Sequence, residues 1–454
     1  MIRIILNSQY ILLEKMSVMN ENKMEQPFKN ILFISYFFPP LGGPGVQRSV
    51  KFCKYLPAYG WDPIVLTVKD IAYVAYDNTL KNEIAEIDVH RTGSCDIMRV
   101  LHKLEKLKLS RGNESVYTKV SSSRKQIFRD IFPIDSKIGW IPFAVREGIK
   151  ICTTHTIDAI YCSVGPFSST EVGYQLSKKF NIPLIVDYRD LFRGKPDASY
   201  FSSWHERYAY KWEKKVLDRA HAVIINTHRA KKRIQNLFPC IEKQKFSVIY
   251  NGYDTEDFDH IYKPHSAKIV FTYTGGFYGE RTPQYFLQAL AELKDLHQLP
   301  GNVKFQFVGN LSESIRKSFY HSGVMKHIIL TSQVSHRESV KCLLQSDFLL
   351  LFIARRDSKI VIPAKLFEYL AARKPILAMV PKNGDAAHII KEFSAGLICE
   401  PDDVQKIKEN ILEMIKYKQL GIINEIFPIR NNNYSAYDRR NLTKKLVDVL
   451  NQLV

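Results

Sequence analysis

The sequence predicts an α/β protein built from two doubly wound, parallel-sheet domains that face each other across a cleft. At 454 residues the chain has room for two or three domains. Twice, at Asn30 and again at Ile269, an apolar strand-like run passes directly into a Gly-rich turn and then a helix and a further strand. That order opens doubly wound domains. A third stretch, Val361–Val380 (VIPAKLFEYLAARKPILAMV), continues the alternation with a short helix between a loop and a buried strand.

In the first half, Asn30–Phe38 (NILFISYFF) reads as a strand, PPLGGPG as the turn, Val46–Leu56 as a helix and Ile64–Val68 as a second strand. Gly42, Gly43 and Gly45 do not form GxGxxG, so a dinucleotide fingerprint is absent. The cluster is either an ordinary turn or a loop whose amides approach a phosphate. Residues 97–129 break the rhythm. Val100–Leu109 sets leucines on one side and lysines on others, and reads as a solvated surface helix or as an interfacial helix on anionic lipid. Past the helix in IGWIPFAVREGIK, Ala159–Ser163 is a strand, TEVGYQLSKKF a helix and Pro183–Val186 a strand. This last strand runs into Asp187-Tyr188-Arg189-Asp190. Charged side chains at the carboxyl end of a strand sit where open α/β sheets bind ligands, although a structural Asp–Arg pair would look the same. Trp204–Ala220 is a long basic helix, Ala222–Asn226 a strand and Phe246–Tyr250 another, ending at the Asn251-Gly252 turn.

The second half opens with Ile269–Tyr273 and TGGFYGERTP, where Gly275 and Gly276 expose backbone donors and Arg281 stands before the helix Gln284–Leu296. Strands follow at Val303–Gly309, Ile328–Leu330 and Asp347–Ile353, with a helix over Arg337–Gln345. Pro363 then starts a helix whose Leu366, Phe367, Leu370 and Ala371 share one apolar arc, and Arg373, Lys374 and Pro375 end it. Lys365 and Glu368 lie off that arc. They are either a surface i,i+3 pair worth a few tenths of a kcal/mol or a functional pair. In the second case the helix start favours a phosphate and the carboxylate accepts sugar hydroxyls. Tyr434–Val454 is amphipathic and helical.

Composition narrows the class. A 45% hydrophobic content with 12% aromatics suits packed cores. No run of about 18 apolar residues predicts a membrane span. The first 24 residues lack a signal-peptide pattern, and Met16, Met19 and Met24 are alternative starts. Seven dispersed cysteines without CxxC read as reduced thiols of a cytosolic protein. HExxH and GxxxxGK[ST] are absent, and no metal site is expected. The net charge of +19 is uneven: residues 101–150 carry 11 Lys/Arg against 5 Asp/Glu, and residues 201–250 carry 11 against 4. Such a field attracts anionic membranes or nucleic acid, and no nucleic-acid-binding signature accompanies it.

The segment PAKLFEYLAARKPILA closely resembles the donor site of GT-B glycosyltransferases, in particular glycosyltransferase family 4. The resemblance covers most of the chain from Asn30 onward. It implies an N-terminal extension (1–29), an acceptor domain (30–262), a donor-nucleotide domain (263–430) and a C-terminal helix (431–454) crossing back to the first domain. It implies a retaining transfer from a nucleotide-diphosphate sugar to an acceptor hydroxyl, on a glycan or a lipid-linked acceptor, without cofactor or metal. Arg281, Lys365 and Glu368 are the expected catalytic residues. Gly42, Gly43, Gly276, Arg281, Lys365, Leu366, Phe367 and Glu368 are expected to bind the donor, with Glu368 on the ribose. Asp187, Arg189 and Asp190 are expected on the acceptor side. Asn251-Gly252-Tyr253-Asp254 matches the family's crossing between domains, and Val334–His336 its loop near the base. Three departures stand out. Ser163–Gly165–Pro166 replaces a loop containing a His that contacts the sugar, Phe277 lies near the place of a second diphosphate cation, and Ile360 replaces the first Glu of a pair eight residues apart. These departures leave two alternatives open, a GT-B sugar-nucleotide epimerase or hydrolase and a non-catalytic nucleotide-sugar or membrane binding protein.

Overall fold

The computed structural model describes residues 28–454 except 72, 74–75, 97–98, 100–131, 133, 194–199, 260–267, 278–279, 356–357 and 430–432. Residues 1–27 of the expected N-terminal extension and nearly all of the basic 97–129 stretch lie outside the described residues.

The first domain runs β1 (Lys29–Ile34), α1 (Pro44–Tyr55), β2 (Trp61–Val68), β3 (Asp88–Thr92), α2 (Ile141–Thr154), β4 (Ala159–Val164), α3 (Ser168–Phe180), β5 (Leu184–Tyr188), α4 (Ser203–Arg219), β6 (Ala222–Ile225), α5 (His228–Leu237) and β7 (Phe246–Val248). The second continues with β8 (Ile269–Thr274), α6 (Gln284–Asp295), β9 (Val303–Val308), α7 (Glu313–Tyr320), β10 (Ile328–Thr331), α8 (His336–Gln345), β11 (Phe348–Phe352), α9 (Ala364–Ala371), β12 (Ile376–Met379), α10 (Asp385–Glu392), β13 (Gly396–Cys399) and α11 (Val404–Leu420). A short α12 (Ile423–Ile426) and a terminal α13 (Arg439–Asn451) complete the chain.

Both sheets are parallel throughout, ordered β3-β2-β1-β4-β5-β6-β7 and β10-β9-β8-β11-β12-β13. Strand order reverses direction between β1 and β4 in one sheet and between β8 and β11 in the other. Open α/β sheets bind ligands outside the carboxyl ends of the strands at such a switch. The central strands are buried on both faces, which is why they read as unbroken apolar runs such as Phe348–Phe352. The first strand stops at Ile34, short of the apolar run that extends to Phe38. Ser35 still donates its backbone N–H to the Leu66 carbonyl of β2 at 3.1 Å, and beyond it Tyr36 and Phe38 pack into the core from a bend.

The domains are joined twice. After β7 the chain crosses at Tyr250–Asp254, and it returns just before α13, where Tyr253 and Tyr437–Arg439 exchange backbone hydrogen bonds of 3.1 and 2.8 Å. Gly252 allows that approach, since a Cβ there would lie 2.2 Å from the Tyr437 carbonyl oxygen. Helix α13 then buries Leu442, Leu446 and Leu450 in the first domain's core, and Asn451 accepts from the Trp61 indole at 3.1 Å.

Candidate active site

The corner expected to hold the donor is built where β8 and α9 meet. β8 ends at Thr274, and Gly275, at φ +108°, turns the chain sharply. Lys365, in the first turn of α9, reaches back so that its ammonium donates to the Thr274 carbonyl and lies 4.0 Å from the centre of the Tyr273 ring. Any side chain at Gly275 would collide with it, its Cβ lying 2.7 Å from Lys365 Nζ. Arg281 lies against the hydroxyl of the same Tyr273. The two expected cations therefore flank one aromatic ring beside the Gly275–Gly276 turn.

Lys365 and Glu368 do not form the i,i+3 ion pair, although the Lys365 charge still acts on the carboxylate. Its Oε1 instead lies 3.0 Å from Nε2 of His336, the first residue of α8. The other ring nitrogen, Nδ1, is 3.7 Å from Oδ2 of Asp257, just past the crossing segment. The His336 backbone N–H also donates to Asp77 of the first domain at 3.4 Å. Burial pushes the imidazole toward neutrality, but the Glu368 hydrogen bond and the Glu368 and Asp257 charges outweigh it and raise His336 to about 9. Burial likewise pushes Glu368 up, and the His336 bond and charge, with Lys365 and Arg439, hold it below the usual carboxylate range. Glu368 is thus a carboxylate fixed by an imidazolium.

Leu366 and Phe367 are placed differently from the expectation. Both side chains are fully buried in the second domain's core, and the Leu366 amide donates to the Pro363 carbonyl at 3.0 Å. Their side chains are therefore core, because the apolar arc that makes α9 a helix is also what docks it, and only backbone groups of these two residues could meet a ligand. Ile360, at the place of the missing glutamate, packs against the first domain's core, and its carbonyl accepts from Thr227 Oγ1 at 3.3 Å.

Across the cleft, Gly42 and Gly43 precede α1, and Gly42 packs against Asp77, the same residue that meets His336. Asp187 corrects the acceptor-side expectation. It is fully buried, accepts from Arg48 Nε at 2.7 Å and Nη2 at 3.0 Å, and takes a third bond from the Tyr161 hydroxyl. Arg48 continues to the Ile249 and Tyr250 carbonyls, so the pair braces β5 against the domain crossing. Arg189 donates to Val164 O at 2.9 Å and to Gly165 O, with its guanidinium filling the space a Cβ on Gly45 would need. It ties the loops after β1, β4 and β5 together at the cleft edge. Asp190 is exposed.

Sequence reasoning missed His336 as a partner of Glu368, and it missed the buried cluster behind the cleft. There Lys51 of α1 pairs with Asp254 at 2.6 Å, Glu83 at 2.6 Å and Asp257 at 3.7 Å. Arg439 is buried nearby, pushed down to about 10 by burial and by Arg48, and its Nη1 has no hydrogen-bond partner among the described residues. The one signal available was that Val334–His336 and Asn251–Asp254 both carry the family pattern. Among the described residues no group of three His, Cys, Asp or Glu side chains is arranged to hold a metal ion.

Two doubly wound parallel-sheet domains facing a cleft make the GT-B architecture. Residues 111–257 match Glycosyltransferase Family 4 and residues 254–422 match Glycosyl transferases group 1, and the chain belongs to these group 1 GT-B glycosyltransferases. Its fold is shared with a glycosyltransferase from Rickettsia africae ESF-5, at 14% identity and TM-score 0.63 over 94% of this chain and 99% of that one. Anabaena HepE, solved in complex with UDP and glucose, is 16% identical with TM-score 0.61 over 93% and 100%. WaaG, a glycosyltransferase involved in lipopolysaccharide biosynthesis, is 13% identical with TM-score 0.57 over 92% and 99%. No curated protein sequence matches the chain.

Proposed function

We propose that this glycosyltransferase moves a hexose, with retention and without a metal, from a nucleoside-diphosphate sugar to an acceptor hydroxyl in surface polysaccharide or glycolipid assembly. The observation that carries the reading is the corner of β8 and α9. It sets Lys365, Arg281, the Gly275–Gly276 turn and Glu368 together at the strand ends of the second domain.

In a transfer of this kind the departing nucleoside diphosphate gains negative charge as the glycosidic bond breaks. Preorganised donors aimed at that charge lower the barrier. Lys365 is held by a neutral carbonyl and a ring face, and with Arg281 and the Gly276 amide it supplies such donors from one side. The Gly42–Gly43 turn, facing from the first domain, supplies backbone amides from the other. Glu368, with Oε1 fixed by His336, offers Oε2 to the ribose hydroxyls. The HepE complex with UDP and glucose and the involvement of WaaG in lipopolysaccharide biosynthesis support the donor class and the setting. No helix among the described residues is long and apolar enough to cross a membrane. The proposed setting is the cytoplasm, peripheral to the inner face of the plasma membrane.

The test is calorimetric or thermal-shift titration with UDP-, GDP-, ADP- and TDP-sugars, for wild type and Glu368→Ala. Selective binding by the wild type, weakened in the variant, is expected. A folded protein that binds none of them overturns the reading, and steady donor turnover without acceptor favours an epimerase or hydrolase.

A further inference from the structure

Three of the four tryptophans, Trp61, Trp140 and Trp212, are buried at 1, 0 and 6% exposure, whereas Trp204 is 57% exposed. It is not an isolated ring. Phe201 and Tyr208 beside it are 64% and 41% exposed, and the Trp204 and Tyr208 rings stack with centroids 5.4 Å apart. Grouped exposed aromatics mark an interaction site where single ones do not.

The helix geometry shows what accompanies them. At 100° per residue Trp204, Arg207, Tyr208 and Lys211 fall within one arc of about 100° on α4. The opposite face buries Ala209, Trp212, Val216 and Leu217 and seats the helix on the sheet. Arg207 and Lys211 form no ion pair with the described residues. The acidic groups of the helix are engaged elsewhere: Glu206 with Arg193 at 3.1 Å, Asp218 with Lys214 at 2.6 Å, and Glu213 in the interior. Among the described residues the exposed face is therefore aromatic and positively charged, with no acidic partner at Arg207 or Lys211.

We propose that the start of α4, through Phe201, Trp204, Tyr208, Arg207 and Lys211, docks on the headgroup region of an anionic membrane. Amphipathic Trp and Tyr rings favour the membrane–water interface, and unpaired Arg and Lys beside them meet acidic headgroups. The topology makes the placement useful. In a parallel sheet the helix after a strand begins at that strand's carboxyl edge, so the first turns of α4 stand on the edge of the first domain that carries the cleft. A protein docked there presents its acceptor side to the lipid surface. The docking does not depend on the donor reading, and binding of nucleotide sugars is measured separately.

Trp204 is its own reporter. The full-length protein is titrated with vesicles of phosphatidylcholine, alone or mixed equally with phosphatidylglycerol, each with and without brominated lipid. Expected are a blue-shifted emission and quenching by brominated lipid with the anionic vesicles alone. Both should weaken with salt and be absent in Trp204→Phe. Trp204→Ala/Tyr208→Ala and Lys211→Glu should each lower the partition coefficient about tenfold while leaving nucleotide-sugar binding unchanged. Vesicle binding without quenching of Trp204 overturns the proposal, as does equal binding to both lipids or no binding. An emission shift that follows protein concentration without lipid also overturns it, and assigns the face to a second copy of the chain.

Discussion

The ends of β5 and of β8 pose the same problem and solve it oppositely. Each places charged residues at the carboxyl edge of a sheet, near the switch in strand order. At the end of β5, Asp187 points inward and is consumed by Arg48 and Tyr161. At the β8–α9 corner, Lys365 and Glu368 decline each other and are held by a carbonyl and by an imidazole. The difference lies in the partner supplied by other elements. α1 delivers a guanidinium to Asp187 deep between the sheet and the domain crossing, where only a tight ion pair is tolerated. α8 delivers a histidine to one oxygen of Glu368 at the cleft, where the side chain is less deeply enclosed than Asp187. A charge at a strand end is thus sealed inside as a brace or left at the cleft according to what meets it.

Removing each charge separates the two roles. Asp187→Ala should cost the most, about 3–5 kcal/mol, because it leaves Arg48 buried without its counter-ion. Urea unfolding measures this, and a loss under about 1 kcal/mol would break the comparison. Glu368→Ala should keep a folded α9, whose core contacts are Leu366, Phe367 and Leu370, yet weaken donor binding roughly tenfold to a hundredfold. That is the scale of about 1.5–3 kcal/mol for hydrogen bonds to a charged group. Calorimetry checks it, and unchanged affinity would remove Glu368 from the site.

His336 sharpens the donor side through pH. Its folded-state value is raised to about 9 from 6.5, so its ion pair with Glu368 stabilises the fold fully below about pH 6.5. That contribution is lost as pH rises through about 9. Unfolding curves between pH 6 and 10 should show the decline, and His336→Gln should flatten it. An unaltered slope in the variant would assign the pH dependence to other groups. The smallest effect is expected at Asp190, which is exposed. Asp190→Asn should change stability by less than about 0.5 kcal/mol. Any effect on acceptor KM, read in steady-state assays at saturating donor, would give it an acceptor role that Asp187 does not have.

What was legible in the chain was what is local. Alternation of apolar runs with Gly-rich turns marked the strands and their order, and Pro363 with a 3.6-residue apolar arc marked α9 to within a residue or two. That same arc made the Leu366 and Phe367 side chains core, so the pattern that located the helix also explains why those side chains turn inward. The residues that the group 1 pattern singles out, Lys365 and Glu368, were visible because they lie off the arc. Their orientations were not. Arg48 and Asp187 are 139 residues apart, and His336 and Glu368 are 32 apart. No periodicity links such pairs. Only the stacking of two sheets, a crossing at Gly252 and the return of α13 bring them within hydrogen-bond reach. The sequence by itself determined the elements, because backbone preference and side-chain period act over one or two turns. Tertiary structure decided which charges are buried in pairs and which face the cleft, because that choice depends on the solvent and counter-ions that distant elements remove or supply.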